Sequence, residues 1–213
     1  MPTVIRLTAT ASTDAETLPV TRPRCAACLR PQSACICAWV TPVAHAADVL
    51  ILQHPLEVDH AKNSARLLHL SLPRSRMLTG EAFDEGSLQD ALKEPRYNVL
   101  LYPQTPGDEA PALDTGQLKD PSRVRLVVLD GTWRKSRKML HLSPWLRQLP
   151  RLALDDVPAS NYLIRKTHKP GQLSTLEAAC AALAQLEGDA GKYQPLLKAF
   201  DGFVAQQLAF VPK

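Results

Sequence analysis

Residues 124–138 read VRLVVLDGTWRKSRK, and the fold turns on the change of period inside them. VRLVVL carries almost no polar alternation, as expected of a strand buried on both faces of a parallel sheet, whereas residues 132–142 carry helical spacing. A strand passing through a short turn into a helix is half of a βαβ unit, and the pattern recurs along the chain. DVLILQ (48–53) precedes a helical stretch over 61–72, YNVLLY (97–102) leads into a loop, and RLAL (151–154) is a weaker fourth run. The expected fold is α/β, a mostly parallel sheet covered by helices. Residues 103–121, with four prolines, read as an irregular loop.

The C-terminal part reads as helical. Ser174 and Glu177 have capping-box spacing at the head of STLEAACAALAQLE, and Gly188 is a stop signal. Cys180 lies inside this run as a small buried hydrophobe. A last helix is expected from Tyr193, with Tyr193, Leu196, Leu197, Phe200, Val204 and Leu208 on one stripe. Both helices read as covers for the core.

The chain has 213 residues, 45% hydrophobic and 22% charged, which suits one main domain with a small module and excludes fibrous and fully disordered classes. No run approaches the roughly 20 apolar residues that span a bilayer. The start, MPTVIRLTATASTDAE, lacks the basic and apolar segments of a secretion signal, so the reducing cytoplasm is the expected compartment. Residues 1–22, rich in Thr, Ala and Ser without periodicity, are expected to be a disordered tail. Cys25, Cys28, Cys35 and Cys37 follow in the pattern C-x2-C-x6-C-x-C. Reduced thiols at this spacing favour a structural Zn2+ over free thiols or disulfides, and a metal with four sulfur ligands has no open position for chemistry. The expected organisation is a zinc module over 23–40 and a main domain over 41–213. Charge is uneven: residues 130–170 hold nine Lys/Arg against three Asp, a local net of +6, as on surfaces that attract phosphate backbones.

Ligands of open parallel sheets bind beyond the carboxyl ends of the strands, so the residues after each apolar run are the candidates. These are His54 and Glu57 with Asn63 and Arg66; Pro103 and Gln104; Asp130, Gly131, Thr132 and Trp133; and the segment around 160–175. A carboxylate at Asp130 can accept a proton, and an N-terminal helix cap is its bland alternative. His54 reads either as a base or phosphate contact or as a satisfied structural side chain. Trp133 reads either as a stacking surface or as core. No GxGxxG, Walker-type phosphate loop or HExxH is present.

Taken in order, the four-cysteine cluster, Gln53-His54-Pro55-x-Glu57 with Asn63-x-x-Arg66, Leu101-Tyr102-Pro103, Asp130-x-Thr132-Trp133, and Tyr162-x-x-Arg165-Lys166 followed by Leu173-Ser174-Thr175-x-Glu177 resemble the DTW-domain family. These are the transfer-RNA uridine aminocarboxypropyltransferases, within the wider set of knotted SPOUT-like proteins. The resemblance covers about residues 24–210. It implies transfer of the 3-amino-3-carboxypropyl group of S-adenosylmethionine to N3 of a tRNA uridine, with methylthioadenosine released, and a C-terminal knot. On this resemblance the catalytic residues are Asp130 as general base with Thr132, Trp133 and His54. The cofactor pocket is Leu101, Tyr102, Pro103, Gln104, Asp130, Gly131, Tyr162, Leu163, Ile164, Ser174 and Thr175. Arg134, Lys135, Arg137, Lys138, Arg165, Lys166 and Lys169 are expected to meet tRNA phosphates, and His54, Glu57, Asn63 and Arg66 to line the crevice.

Two other readings stay open at this point: a SPOUT-type RNA methyltransferase, which would release S-adenosylhomocysteine, and a zinc-stabilised RNA-binding protein without catalysis. The +6 segment disfavours a small-molecule transferase. Monomer and homodimer are both compatible with the sequence.

Overall fold

The computed structural model describes residues 23–104, 110–154 and 173–210. Five strands, β1 (Asp48–Gln53), β2 (Ser75–Thr79), β3 (Tyr97–Leu101), β4 (Val124–Asp130) and β5 (Arg151–Leu152), form one sheet in the order β2-β1-β4-β3-β5. Every neighbouring pair is parallel. The helices are α1 (Ala65–Ser71), α2 (Glu85–Leu92), α3 (Trp133–Leu142), α4 (Pro144–Arg147), α5 (Thr175–Glu187) and α6 (Gln194–Ala209).

The strands are apolar on both sides because both faces are covered. Val49 and Ile51 of β1, with Leu126 and Val128 of β4, pack under α1, α5 and α6. Leu50, Leu52 and Val127 point the other way, against Leu88 of α2, Met139 of α3 and Leu146 of α4. Each such side chain contributes about 1.5–3 kcal/mol on burial.

Several expectations shift at their edges. The run after YNVLL ends one residue earlier, at Leu101, and β5 is limited to Arg151–Leu152. The helix expected over 61–72 starts only at Ala65, because residues before it form turns. Strand β2 (SRMLT) and helix α2 were not anticipated: β2 is a half-exposed edge strand pairing only with β1, so it lacks the apolar run that marks its neighbours. The capping box at Ser174 and Glu177 forms, and Gly188 ends α5 in the left-handed region at φ 65°. Cys180 is buried. In α6 the stripe holds for Tyr193, Leu196, Phe200 and Val204, but Leu208 is exposed and Phe203 is buried instead. A straight helix drifts away from any fixed stripe over four turns. The expected tail over 1–22 lies outside the described residues, as does the run 155–172, where a knot would be threaded.

The cysteine loop packs into the same core as the sheet, with Cys28 and Ile36 among its buried members. Trp39 lies on Gly202 of α6, where an added Cβ would fall 2.1 Å from the indole. Its Nε1 donates to Gln206 Oε1 at 2.6 Å, and Gln206 Nε2 donates to the Cys35 carbonyl at 3.0 Å.

Candidate active site

A cleft of about 310 Å³ opens at the carboxyl ends of β3, β4 and β5. That lies at the small end of the roughly 300–1,000 Å³ typical of small-molecule sites. Its walls include Leu101, Tyr102 and Pro103 after β3, Gly131 and Trp133 after β4, Leu152 to Leu154 at β5, and Leu173, Ser174 and Thr175 at the head of α5. Six of the expected pocket residues are thus brought together: Leu101, Tyr102, Pro103, Gly131, Ser174 and Thr175. Gln104 is exposed and is not on the wall. Tyr162, Leu163 and Ile164 lie outside the described residues. Ser136 and Ala178 line the cleft without having been anticipated. Each sits one turn into its helix, Ser136 in α3 and Ala178 in α5, a placement visible only once the helices are docked.

Trp133 is half exposed, at 50%, and meets Tyr102 edge-on with centroids 5.6 Å apart. It is therefore not a core residue but a rim to the cleft, with an aromatic face open to a planar ligand. Thr132 caps α3, its Oγ1 accepting from the Lys135 backbone N–H at 3.4 Å. Thr132 and not Asp130 supplies the helix cap, because β4 runs on through Asp130 and the helix starts three residues later.

Asp130 itself is 3% exposed and sits one side chain behind the cleft wall. Gln53 Nε2 and Asn63 Nδ2 donate to its Oδ2 at 2.9 and 2.6 Å, and Thr175 Oγ1 donates to Oδ1 at 2.8 Å. Burial pushes the Asp130 carboxyl above its ordinary range, the three neutral donors pull it partly back, and the charge of Glu57 adds to the rise. Gln53 reaches this position because β1 and β4 pair Gln53 directly with Asp130. A carboxylate held by neutral donors beside a cleft is arranged to take up a proton, with Thr175 as its contact to the cavity.

His54 is not in the cleft. The Leu56 N–H donates to Nδ1 at 3.1 Å, which leaves the proton on Nε2 to be donated to Glu81 at 2.9 Å. One nitrogen holds the turn after β1 and the other ties it to Glu81 beyond β2, so the partners of His54 in this structure are structural ones. Arg66 likewise turns away from the crevice, its Nε donating to the Cys28 carbonyl at 3.3 Å. On α3, Lys135 pairs with Glu57 at 2.7 Å and Lys138 with Glu81 at 2.9 Å. Arg134 and Arg137 are exposed and have no acidic partner among the described residues. The basic face is therefore partly neutralised from within, because acids after β1 and β2 lie beside α3. Arg165, Lys166 and Lys169 lie outside the described residues.

The thiols of Cys25, Cys28, Cys35 and Cys37 lie within 4.8 Å of one another, with Sγ–Sγ separations of 3.6 Å for Cys25–Cys37 and 3.8 Å for Cys28–Cys35. Zn–S bonds of about 2.3 Å place tetrahedral sulfurs about 3.8 Å apart, so the donor set fits a zinc ion. Leu29, at φ 60°, makes the tight turn that returns the chain toward Cys35. Backbone N–H groups of Cys28 and Ala27 hold the Cys25 thiol down to about 6, toward the thiolate that binds metal.

Fold and site together define a parallel α/β domain with a ligand cleft at its strand ends, buttressed by a four-cysteine loop. A family model described as DTW domain matches residues 22–208. The chain belongs to the DTW-domain family. It is 32% identical over 198 residues to tRNA-uridine aminocarboxypropyltransferase 2 of Drosophila melanogaster, covering 89% of this chain and 77% of that protein. The Mus musculus protein of the same name is 30% identical over 194 residues, covering 88% of this chain and 64% of its own length. Arabidopsis thaliana tRNA-uridine aminocarboxypropyltransferase A is 29% identical over 199 residues, covering 79% and 74%. No solved structure matches the chain. Among the described residues no helix is long and apolar enough to cross a membrane.

Proposed function

We propose that this chain transfers the 3-amino-3-carboxypropyl group of S-adenosylmethionine to N3 of a uridine in tRNA and releases methylthioadenosine. The observation that carries the reading is the Thr175–Asp130 pair, a hydroxyl on the cleft wall bonded to a buried carboxylate whose other partners are all neutral. The names of the relatives supply the reaction class.

The bound sulfonium supplies an activated carbon, and the choice among its three attached carbons depends on which is held in line with the nucleophile. Positioning by the apolar walls from Leu101 to Pro103 and from Leu152 to Leu154 would make that choice, while Trp133 offers a face to the uracil ring. Uracil N3 attacks poorly with its proton in place. On this reading Thr175 Oγ1 accepts the N3 proton and passes its own to Asp130 Oδ1. The N3–carbon bond forms as the carbon–sulfur bond breaks, and the electron pair stays on sulfur. Arg134 and Arg137 would carry most of the phosphate contact made by α3, since Lys135 and Lys138 are already paired. The contributions expected of Tyr162 to Ile164, of Arg165, Lys166 and Lys169, and of a knotted C-terminal segment belong to this reading as well.

The test is incubation of the purified protein with S-adenosylmethionine and unmodified tRNA, with the by-product identified by mass spectrometry. Methylthioadenosine formed only with tRNA present is the expected result. S-adenosylhomocysteine would make the chain a methyltransferase, and neither product with tRNA still bound would make it a binder.

A further inference from the structure

We propose that the opposite end of the sheet carries a second site, which binds a phosphate group. A cavity of about 390 Å³ opens there, at the amino ends of β1, β2 and β4, on the far side of the sheet from the cleft. Five residue steps along β1 separate the two ends, about 17 Å at about 3.3 Å per residue. Four arginines wall the cavity, Arg74, Arg76, Arg96 and Arg125, against only two carboxylates, Asp48 and Glu94. The described lining thus carries a net charge of +2, with Asp120 beyond it in electrostatic reach of Arg96.

The carboxylates act as struts for these arginines. Asp48 Oδ1 takes Nε and Nη2 of Arg74 at 3.0 and 2.7 Å, while Oδ2 takes Arg96 Nε at 3.1 Å and has Arg125 at 3.8 Å. Glu94 takes Arg96 Nη2 at 2.7 Å, and its backbone carbonyl takes Arg125 Nη2 at 2.9 Å. Arg125 is further held by Asn98 Oδ1 at 3.0 Å. Arg76 donates one N–H to the Asp90 carbonyl and has no carboxylate partner among the described residues. Each guanidinium has five N–H donors, so these bonds fix the planes of the arginines and leave donors to spare. Fixed, planar, incompletely neutralised forks around an open space suit the tetrahedral oxygens of a phosphate ester. The groove is open to water, so its fixed, incompletely neutralised arginines and not its volume point to a ligand. Two sources share the chemistry, the backbone of an RNA and a free phosphorylated compound.

The first experiment uses the unaltered protein, labelling arginines with phenylglyoxal and mapping the adducts by mass spectrometry, with and without millimolar pyrophosphate or saturating tRNA. Pyrophosphate is expected to slow labelling of Arg74 and Arg76 at least threefold and leave Arg24 unchanged, since Arg24 is exposed, is not on the cavity wall and is held by Asp59 and the Leu29 carbonyl. The second measures pyrophosphate and tRNA affinity in Arg76→Gln, with folding checked by melting temperature. A roughly tenfold loss of pyrophosphate affinity is expected. Protection by tRNA, with the salt slope of tRNA binding falling by about one in Arg76→Gln, would identify the RNA backbone as the source. Protection by pyrophosphate alone would point to a free phosphorylated compound. No protection by either, with Arg76→Gln binding both like the unaltered protein, would overturn the site. Labelling needs no variant to fold, and it reads phosphate binding independently of whether the cleft transfers an aminocarboxypropyl group.

Discussion

Asp48 opens β1 and Asp130 closes β4, so the two aspartates stand at opposite ends of one sheet, and their surroundings are opposite in kind. Around Asp48 the partners are charged: burial pushes its carboxyl up, but Arg74 and Arg96 more than offset this and hold it below its usual range. Around Asp130 every hydrogen-bond donor is neutral, and burial wins. A carboxylate among guanidinium groups stays ionised and orders its neighbours, whereas one among amides and a hydroxyl is poised to exchange a proton. The sheet thus has an ion-paired carboxylate at one end and, at the other, the neutrally held one to which the proposed function gives the proton.

The cysteine loop is hydrogen-bonded to the Asp130 end. Arg30, between Cys28 and Cys35, donates to the carbonyls of Ala61 and Asn63 at 2.6 and 2.8 Å, and Asn63 in turn holds Asp130. With zinc on the four thiols and the proposed transfer in the cleft, a chelator should have the largest effect: complete loss of that activity and a stability loss on the order of 5 kcal/mol or more, as for structural zinc sites. Hydrogen exchange should open residues 61–66 before the amides near Asp48 and Arg125. Simultaneous opening of both ends would break the asymmetry.

Asp130→Asn keeps the shape and removes the proton acceptor. The rate constant for transfer should fall about 10²- to 10⁴-fold, with tRNA binding within about twofold of the unaltered protein. A rate within tenfold would reduce Asp130 to a support for Thr175. The counterpart, Asp48→Asn, should do the reverse. It leaves Arg74, Arg96 and buried Arg125 facing one another, at a cost of about 2–3 kcal/mol in urea unfolding, while the rate per folded molecule stays unchanged. A fall in rate without a fall in stability would contradict the structural role.

Much of this is legible in the amino-acid sequence, wherever a feature does not depend on how the elements dock. Strands β1 and β4, and β3 at Val99–Leu100, announce themselves because burial on both faces leaves an apolar run with polar residues mainly toward its ends. Asp130, Gly131 and Trp133 follow from the strand-end rule. The capping box of α5 is local chemistry, read from Ser174 and Glu177 alone. What stayed hidden depends on docking. The half-exposed strand β2 has no apolar run, Lys135 and Lys138 look free until Glu57 and Glu81 are seen beside them, and His54 looks catalytic until both its nitrogens are found occupied. Asp48 drew no notice because the arginines around it come from positions as far apart as 74, 96 and 125.

The smallest effect is the most direct reading of the comparison, and it lies in the sign of two pH dependences. Asp130 has its carboxyl raised in the folded state, so its contribution is fully present below the ordinary value of 3.8 and is lost as pH rises through the folded value. Asp48 has its carboxyl lowered, so its contribution is present above 3.8 and is lost as pH falls through the folded value. One proton changes stability by at most about 1.4 kcal/mol per pH unit. Urea unfolding between pH 3 and 7 should therefore show the stability of the unaltered protein falling relative to Asp130→Asn as pH rises. Relative to Asp48→Asn it should fall as pH drops. Opposite slopes establish that neutral and charged surroundings set the two carboxylates apart. Two slopes that fall with rising pH would mean that burial governs both; two that fall with dropping pH would mean that both are held ionised, and the proton-accepting role of Asp130 would then have to rest on its rate effect.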